Sequence, residues 1–418
     1  MYRKTTLPSG IRVITESMPA VRSATIGIWA DVGSAAETSH RRGISHVVEH
    51  MLFKGTSNRT ARQIAETMDA VGGNLNAFTD KETTCYYAKV IDRHVPLAMD
   101  VLSDMFLHSL FDAEELRKEQ RVILEEIKMY DDSPDEQIHD LFIRTMWTGA
   151  NLGDPTIGSA QTVSDIAPDD LRDHMRRYYA PGAVVVTAAG NVEHDAFTAV
   201  VQSAFERFVG RCDAVRPESP DAVPQTSVQH KEIEQAHLVI GAQGLSVRDD
   251  RRYVLAVLDT VLGGGMSSRL FQEVREKRGL VYSVYSFQAA YRAAGLFAAY
   301  AATSPQNVGA CIGLVAKEFS SLRDEAVGDH ELSCAKEHIK GNLTLSLEAS
   351  SSRMMRLGRN EFALGREVTP EEIEERVDAV SAKDVQDLAR EMLAPERIGL
   401  CVLGPVDGSS IDRDRFAA

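Results

Sequence analysis

The sequence is poor in cysteine, has no long apolar run and has no excess of basic residues. Its five cysteines, Cys85, Cys212, Cys311, Cys334 and Cys401, are scattered and form neither a CxxC pair nor a zinc-finger spacing. We therefore expect reduced thiols rather than a disulfide framework. No apolar stretch approaches the ~18 residues that span a bilayer, and no apolar core near the N-terminus precedes a cleavage site. The sequence predicts a protein that is neither exported nor inserted in a membrane.

The charge of the chain is strongly negative. Lysine and arginine number 46 against 61 aspartates and glutamates, which gives a formal net charge of −15. Such a field repels nucleic-acid backbones and anionic membranes, so neither is an expected partner, and peptide-like partners fit better. The chain starts at methionine without a leader rich in arginine and serine, which predicts a bacterial cytoplasmic location in preference to the mitochondrial matrix.

The chain contains an internal repeat. Residues 163–192 match residues 377–406 with a constant separation of 214 positions. Each copy is typical of an amphipathic helix that stops at Ala-Pro and is followed by a strand that ends at glycine. The identical pairs in register are Asp170 and Asp384, Arg176 and Arg390, Ala180 and Ala394, Pro181 and Pro395, and Gly190 and Gly404. The sequence therefore predicts two homologous halves.

A proline-rich segment separates these halves. Pro217, Pro220 and Pro224 lie in a stretch without apolar periodicity, which indicates a linker. We predict domains at 1–212 and 230–418 joined by 213–229, each an α+β domain with a mainly antiparallel sheet and helices packed on one face. The expected elements of the first half are strands within 10–18, 23–34, 73–80 and 83–91, and helices within 43–53, 60–71 and 94–147.

The segment HVVEH, residues 46–50, carries the chemistry of a metal site. On a helix, His46 and His50 are four residues apart and project from one face, as two imidazole ligands of one zinc ion must. Glu49 can reach the same edge and act as a general base. A catalytic zinc ion needs a third protein ligand from elsewhere. By itself the motif also fits a solvated helix face, but Gly43 before it and an apolar segment after it favour a buried site.

The acid-rich segment 112–132 offers the third ligand. Glu119 and Glu126 are seven residues apart and lie on nearly the same side of a helix. Glu125 is the competing candidate, and spacing does not choose between Glu125 and Glu126.

With these motifs the sequence resembles the inverted-motif zinc peptidases of the pitrilysin and insulysin family, in particular the short-chain branch that includes the β subunit of mitochondrial processing peptidase and its bacterial homologues. The resemblance implies one zinc ion per chain, with Glu126 as the third ligand and Glu119 as a catalytic supporting residue. It also implies that an edge strand binds extended peptide through Asn76, Ala77 and Phe78.

The second half has no counterpart of the HVVEH motif, so we expect no zinc there. Its glycine-rich stretch, Gly263, Gly264 and Gly265, is not followed by GK[ST], which argues against a phosphate loop. The resemblance implies instead that these glycines bind substrate. It further implies that Arg275 and Tyr282 are catalytic, contacting substrate and stabilising the tetrahedral intermediate.

Three further residues resemble substrate-recognition positions of the family. Glu136 and Asp140 are four residues apart on a predicted helix, where a solvated acidic face is the ordinary interpretation. The resemblance implies that both acids bind a substrate arginine just before the cut. It also implies that Phe53 lines the pocket for the residue after the cut.

Together these residues predict a zinc metalloendopeptidase that hydrolyses short or unfolded peptides and resembles a processing peptidase. Two alternatives are a non-catalytic core or scaffold subunit of the same fold and the catalytic subunit of an obligate heterodimer. Because one chain carries both the zinc motif and the Arg275/Tyr282 pair, we expect a homodimer that encloses a chamber.

Overall fold

The computed structural model describes residues 1–213 and 219–408. These residues form two β-sheets and a set of α-helices. The strands are β1 Tyr2–Thr6, β2 Arg12–Ser17, β3 Ser23–Ala30, β4 Asn74–Thr79, β5 Thr84–Ile91, β6 Val184–Gly190, β7 Thr226–His230, β8 Ala236–Gly244, β9 Val281–Ala290, β10 Gly295–Thr303 and β11 Gly399–Gly404. The helices are α1 Ile44–Leu52, α2 Ala61–Asp69, α3 Val95–His108, α4 Ala113–Asp131, α5 Pro134–Met146, α6 Ala160–Asp165, α7 Pro168–Tyr178, α8 His194–Ala204, α9 Arg252–Gly263, α10 Val308–Asp324, α11 Asp329–Ser346, α12 Ser350–Leu364, α13 Pro370–Ala379 and α14 Ala382–Met392. No helix in this part of the chain is long and apolar enough to cross a membrane.

Both sheets are mainly antiparallel. The first has the order β1-β2-β6-β3-β5-β4 and the second the order β7-β11-β8-β10-β9. In the first sheet only β2 and β6 pair in parallel, and in the second only β7 and β11 do so. Strand β3 pairs antiparallel with β6 and β5, and strand β8 pairs antiparallel with β11 and β10, so the centres of the two sheets have the same pairing. This arrangement confirms the prediction of two α+β domains, each built on a mainly antiparallel sheet.

The repeat in the sequence reappears in the structure. Helix α7 and helix α14 begin and end 214 positions apart, and both lead through a short 3-10 turn at Ala-Pro into a strand. Strands β6 and β11 that follow are fully buried and both end at glycine. The predicted helix, stop and strand are thus present in both copies.

The chain packs into two compact units that are not continuous in sequence. The first comprises Met1–Met129, Pro155–Pro217 and Ser346–Glu367, and the second comprises Tyr130–Asp154, Glu218–Leu345 and Val368–Ala418. The linker at 213–229 between the two homologous halves stays a prediction. Residues 214–218 of this linker lie outside the described residues.

Each unit includes one helix that belongs to the other half in sequence: α12 lies in the first unit and α5 in the second. Helix α5 packs on β8 and β11, and helix α12 packs on β3 and β6. The side chains of β3 alternate, so that Ile26 and Ile28 face one hydrophobic cluster, while Trp29 faces a second cluster that includes Met354 of α12. Both faces of the first sheet are therefore covered. Helix α12 covers the face around Trp29, in addition to the helices that were predicted on one face.

Two glycines permit this close packing of α12. A Cβ at Gly358 would lie 2.2 Å from the Trp29 ring, and one at Gly27 would lie 2.6 Å from the Met354 sulfur. The buried carboxylate of Glu361 accepts hydrogen bonds from Lys4 at 2.7 Å and from Arg12 at 3.0 Å. Because a buried charge requires paired donors, these contacts fix the helix against the first two strands.

Candidate metal centre

Helix α1 carries the HVVEH motif, and its start is held by a residue that the sequence analysis did not identify. Gly43 precedes the helix with a left-handed φ of 90°, and a Cβ there would lie 2.6 Å from the Ile157 carbonyl oxygen. The buried Glu37 carboxylate accepts hydrogen bonds from the amides of Gly43 at 2.7 Å and Ser45 at 2.8 Å. These amides are among the unpaired donors of a helix N-terminus, and Glu37 satisfies them from outside the usual capping positions.

Burial raises the pKa of Glu37 to about 7, although the amide hydrogen bonds and the nearby Lys81 oppose this shift. The imidazole of His174 also faces this point, since its Nε2 lies 3.5 Å from the Ser45 hydroxyl. Burial lowers the pKa of His174 to about 3, so this ring is neutral near pH 7. The start of helix α1 is thus supported by the carboxyl group of Glu37, whose pKa lies near neutrality.

We expect the stability of the protein to depend on pH through Glu37. A glutamate of an unfolded chain titrates near pH 4.3, so between about pH 4.5 and 7 the folded protein keeps a proton that the unfolded chain releases. The free energy of unfolding of the wild type should therefore fall over this range, relative to Glu37→Gln, by up to about 3 kcal/mol. Denaturant unfolding of metal-free protein at a series of pH values measures the difference. Substitution of the exposed Glu206 by glutamine is the control, and a difference independent of pH would contradict the expectation.

Three side chains of the first unit converge as a set of metal ligands. Glu126 of α4 places its Oε2 atom 3.8 Å from His46 Nε2 and 3.6 Å from His50 Nε2. One donor atom from each residue lies within 4.8 Å of the other two, and no other group of three potential ligands comes as close in the described part of the chain. The structure brings the predicted ligand set together.

These residues fit a zinc ion. Two ligands at ~2.0–2.1 Å from a tetrahedral ion lie about 3.4 Å apart, close to the observed separations. Burial, and to a smaller extent the neighbouring His50, lowers the pKa of His46 to about 4, so its imidazole is neutral and can offer a lone pair. Two imidazoles and a carboxylate are also the donor set of one class of catalytic zinc site.

The structure separates the two candidate glutamates. Glu125 is exposed and forms an i,i+3 ion pair with Lys128 at 2.7 Å, whereas Glu126 faces the two histidines. Adjacent residues of a helix point about 100° apart, so only one of them can reach the site. The position of Glu126 agrees with the ligand that the resemblance implied.

Glu119 supports His50 from the side opposite Glu126. Its Oε2 atom lies 3.2 Å from His50 Nδ1, and its Oε1 atom accepts a hydrogen bond from Lys54 at 2.8 Å. Burial raises the pKa of Glu119, but the hydrogen bonds from His50 and Lys54 outweigh burial and lower it overall. An ionised Glu119 keeps the proton of His50 on Nδ1 and turns Nε2 towards Glu126. Lys54 was not predicted; it lies four residues after His50, just beyond the end of α1.

Glu49 lies beside the ligands and is held by a further residue that the sequence analysis did not identify. The hydroxyl of Thr79 donates a hydrogen bond of 2.6 Å to Glu49 Oε2. Burial raises the pKa of Glu49, and the bond from Thr79 and the proximity of His50 oppose this shift. Thr79 is the last residue of β4, so its role depends on a contact between distant segments that no local pattern indicates.

The predicted peptide-binding residues Asn76, Ala77 and Phe78 lie in β4 at the edge of the first sheet. Among the described strands, β4 pairs with β5 alone. Phe78 packs against Trp29 with ring centroids 5.5 Å apart, and Phe53, directly after α1, packs partly buried against the first hydrophobic cluster.

The remaining predicted residues lie in the second unit. Gly263 ends α9, where a Cβ would lie 2.2 Å from the Ser286 amide nitrogen, and Gly264 and Gly265 follow it. The Arg275 guanidinium lies 5.0 Å from the centre of the Tyr282 ring, which is 78% exposed. The structure thus brings this predicted pair together.

The two predicted recognition acids lie on helix α5. Glu136 is exposed and Asp140 is half-buried, one turn apart. Between them His139 packs inward, and its Nε2 lies 2.9 Å from the Tyr285 hydroxyl. This contact fixes the face of α5 that carries the acids.

Comparison with known proteins agrees with these features. Residues 12–160 match the model described as Insulinase (Peptidase family M16), and residues 165–339 match the model described as Peptidase M16 inactive domain. The uncharacterized zinc protease YmxG of Bacillus subtilis is 44% identical over 97% of this chain and 98% of its own length. The uncharacterized zinc protease SCO5738 of Streptomyces coelicolor is 42% identical over 98% of this chain and 91% of its own length.

Solved structures share the fold. A peptidase M16 inactive domain from Pseudomonas fluorescens has a TM-score of 0.90 and 18% identity over 97% of this chain and 98% of that chain. A protease from Helicobacter pylori has a TM-score of 0.90 and 20% identity over 97% of this chain and 99% of that chain. At these identities the structures support the fold alone, whereas the sequence relatives support the family. The chain belongs to peptidase family M16, the insulinase family.

Proposed function

We propose that this protein is a zinc-dependent endopeptidase that cleaves extended or unfolded peptides. The observation that carries the proposal is the convergence of donor atoms from His46, His50 and Glu126 within 4.8 Å of one another. The names of the bacterial relatives, which are called zinc proteases, support the choice of metal. In this proposal the three residues hold one zinc ion per chain.

Zinc bound there would polarise the scissile carbonyl and make a water molecule more acidic. Glu49 then takes the proton of the attacking water and passes it to the departing amine. The hydroxyl of Thr79 holds Oε2 of Glu49, which leaves Oε1 for the proton. Glu119 and Lys54 keep the His50 ring in the orientation that ligation requires.

Strand β4 is the proposed binding surface for the peptide. Its outer edge presents backbone donors and acceptors, so an extended peptide can add a strand beside Asn76, Ala77 and Phe78. Since backbone groups are common to all residues, such pairing gives affinity with little demand on sequence. Phe53 would contact the side chain after the cut.

Selectivity resembling that of a processing peptidase is the finer part of the proposal. Glu136 and Asp140 would bind an arginine just before the cut through charge-assisted hydrogen bonds, worth about 1.5–3 kcal/mol each. Their position one turn apart on α5 supports a joint contact with one guanidinium group.

Metal analysis and cleavage mapping of the purified chain test the function. We expect a tightly bound zinc ion at His46, His50 and Glu126, loss of peptide cleavage on treatment with a chelator and recovery on addition of Zn²⁺. Mass spectrometry of a peptide library should show internal cuts, with arginine enriched just before the cut. Cleavage that persists in metal-free protein would contradict the proposal, and cuts without arginine enrichment would contradict only the role of the two acids.

We further propose that a homodimer completes each active site. The zinc residues belong to one half of the sequence, while Gly263, Gly264, Gly265, Arg275 and Tyr282 belong to the other. A twofold dimer allows the second half of each protomer to serve the zinc site of its partner, around a closed chamber that admits peptides.

Mixing two inactive variants tests this sharing. Glu49→Gln protomers lack the base and Tyr282→Phe protomers lack the phenol, so a mixed dimer regains one intact site if sites are shared. After free exchange half of the dimers are mixed, and about a quarter of wild-type activity should return. Native mass spectrometry verifies the exchange. Mixed dimers without activity would contradict a shared site.

A further inference from the structure

The second unit contains a cavity whose lining side chains have no role in the proposed peptidase mechanism, although Gly265 of the glycine-rich stretch forms part of its wall. It has a volume of about 220 Å³ and lies where the end of α9 and the segment after it face α11. Polar and metal-binding side chains are concentrated in its walls. They are Thr260, Ser267, Ser268, His330, Glu331, Cys334 and His338.

One face of α11 carries three potential soft-metal ligands. His330, Cys334 and His338 follow one another at intervals of four residues, so they lie in a row along the helix. The Cys334 sulfur is 3.8 Å from Nε2 and 3.9 Å from Nδ1 of His330. A thiolate and an imidazole nitrogen that bind one tetrahedral zinc ion lie about 3.6 Å apart, as follows from Zn–S and Zn–N distances of ~2.3 and ~2.0–2.1 Å. The observed separations are close to this value. Because both ring nitrogens are almost equally far from the sulfur, ligation requires the imidazole to rotate until one nitrogen faces the metal.

A second observation points to a ligand in the same cavity. Ser268 is 4% exposed, and its hydroxyl oxygen is buried without a hydrogen-bond partner. A buried hydroxyl without a partner is unfavourable, and a water molecule of a metal coordination shell would satisfy it.

The other groups around the cavity are already engaged. Glu331 receives two hydrogen bonds of 2.8 Å from Arg269, and His338 Nε2 lies 2.9 Å from the side-chain amide nitrogen of Asn342. Two helical turns separate His338 from His330, too far for both to join Cys334 on a single ion. This leaves Cys334 and His330 as the pair best placed to bind.

We propose that Cys334 and His330 bind a second metal ion, a soft divalent cation such as Zn²⁺, at this cavity. Thiolate and imidazole are the ligands that such ions prefer over Mg²⁺ or Ca²⁺. As the metal–sulfur bond forms, the thiol releases its proton to solvent, and water fills the other positions beside Ser268. The chain then binds two metal ions, one through oxygen and nitrogen at the triad and one through sulfur.

Cobalt distinguishes these two sites. Metal-free protein titrated with Co²⁺ should bind two equivalents and develop a thiolate-to-cobalt charge-transfer band in the near ultraviolet. The triad cannot produce this band because it contains no sulfur. Cys334→Ser should abolish the band and reduce binding to one equivalent, and His330→Ala should weaken the sulfur site about tenfold or more.

Matched variants complete the experiment. Cys212→Ser is the control for removal of a cysteine outside the cavity and should keep the band, as should His338→Ala. Wild-type protein that binds Co²⁺ without the band, or a band that survives Cys334→Ser, would overturn the proposal. Loss of the band in His338→Ala but not in His330→Ala would overturn the assignment of His330. If instead the triad were not a metal site, the wild type would bind a single Co²⁺ and show the band.

Discussion

Replacement of Glu49 by glutamine is expected to reduce peptide cleavage by at least about 100-fold while the protein keeps its zinc. A positioned general base contributes about 10²–10⁴-fold to a rate, and a glutamine side chain cannot take the proton. The amide oxygen of glutamine can still accept the hydrogen bond from Thr79, so the local structure should be preserved. Glu49 is also not one of the three converging ligands.

Metal content and turnover of the same preparation test this expectation. His50→Ala provides the contrast, because it should lose both zinc and activity. Glu125→Gln, a change of the same chemistry at an exposed position of the first unit, should lose neither. A Glu49→Gln protein with more than a tenth of wild-type turnover would show that another group removes the proton.

Loss of Glu126 should weaken zinc binding more than any other single substitution on α4. Glu126→Gln removes the negative ligand that faces both histidines, whereas Glu125→Gln removes only an exposed partner of Lys128. Changes in residues that merely orient ligands cost about 10–100-fold in metal affinity, so removal of a ligand should exceed about 100-fold.

Competition with a chromophoric chelator gives the zinc affinities of both variants and of the wild type. Glu119→Gln should give an intermediate zinc affinity, because glutamine can still form a hydrogen bond with His50 but lacks the negative charge of glutamate. The assignment would be wrong if Glu126→Gln retained wild-type affinity while Glu125→Gln lost it.

The elements with strong local signals were predictable. The long helical region expected within 94–147 is helical but is divided into α3, α4 and α5. Both breaks have local causes. Asp112 accepts hydrogen bonds from the amides of Glu114 and Glu115 at the start of α4, and Pro134 begins α5. Both are sequence signals for the start of a helix, so the two breaks are predictable from the sequence.

The supporting residues of the site were not predictable in the same way. His46 and His50 could be proposed as ligands because a helix fixes the geometry of residues four apart, whereas only the resemblance distinguished Glu126 from Glu125. Glu37 and Thr79 act on α1 from other segments, and their roles depend on tertiary contacts that leave no period or spacing in the sequence. The placement of α12 is equally non-local, because an amphipathic helix does not specify which sheet its apolar face will cover.

The exchange of helices has a consequence for how the protein is made. The unit that holds the three proposed zinc ligands includes residues Ser346–Glu367, so it cannot be complete until the ribosome has added roughly 150 residues after its preceding segment ends near 217. At about 5–20 residues per second this delay lasts roughly 8–30 s. During that time the face of the first sheet around Trp29, which α12 later covers, is without its helix. A nascent chain with such an uncovered apolar surface is a natural client for a chaperone at the tunnel exit.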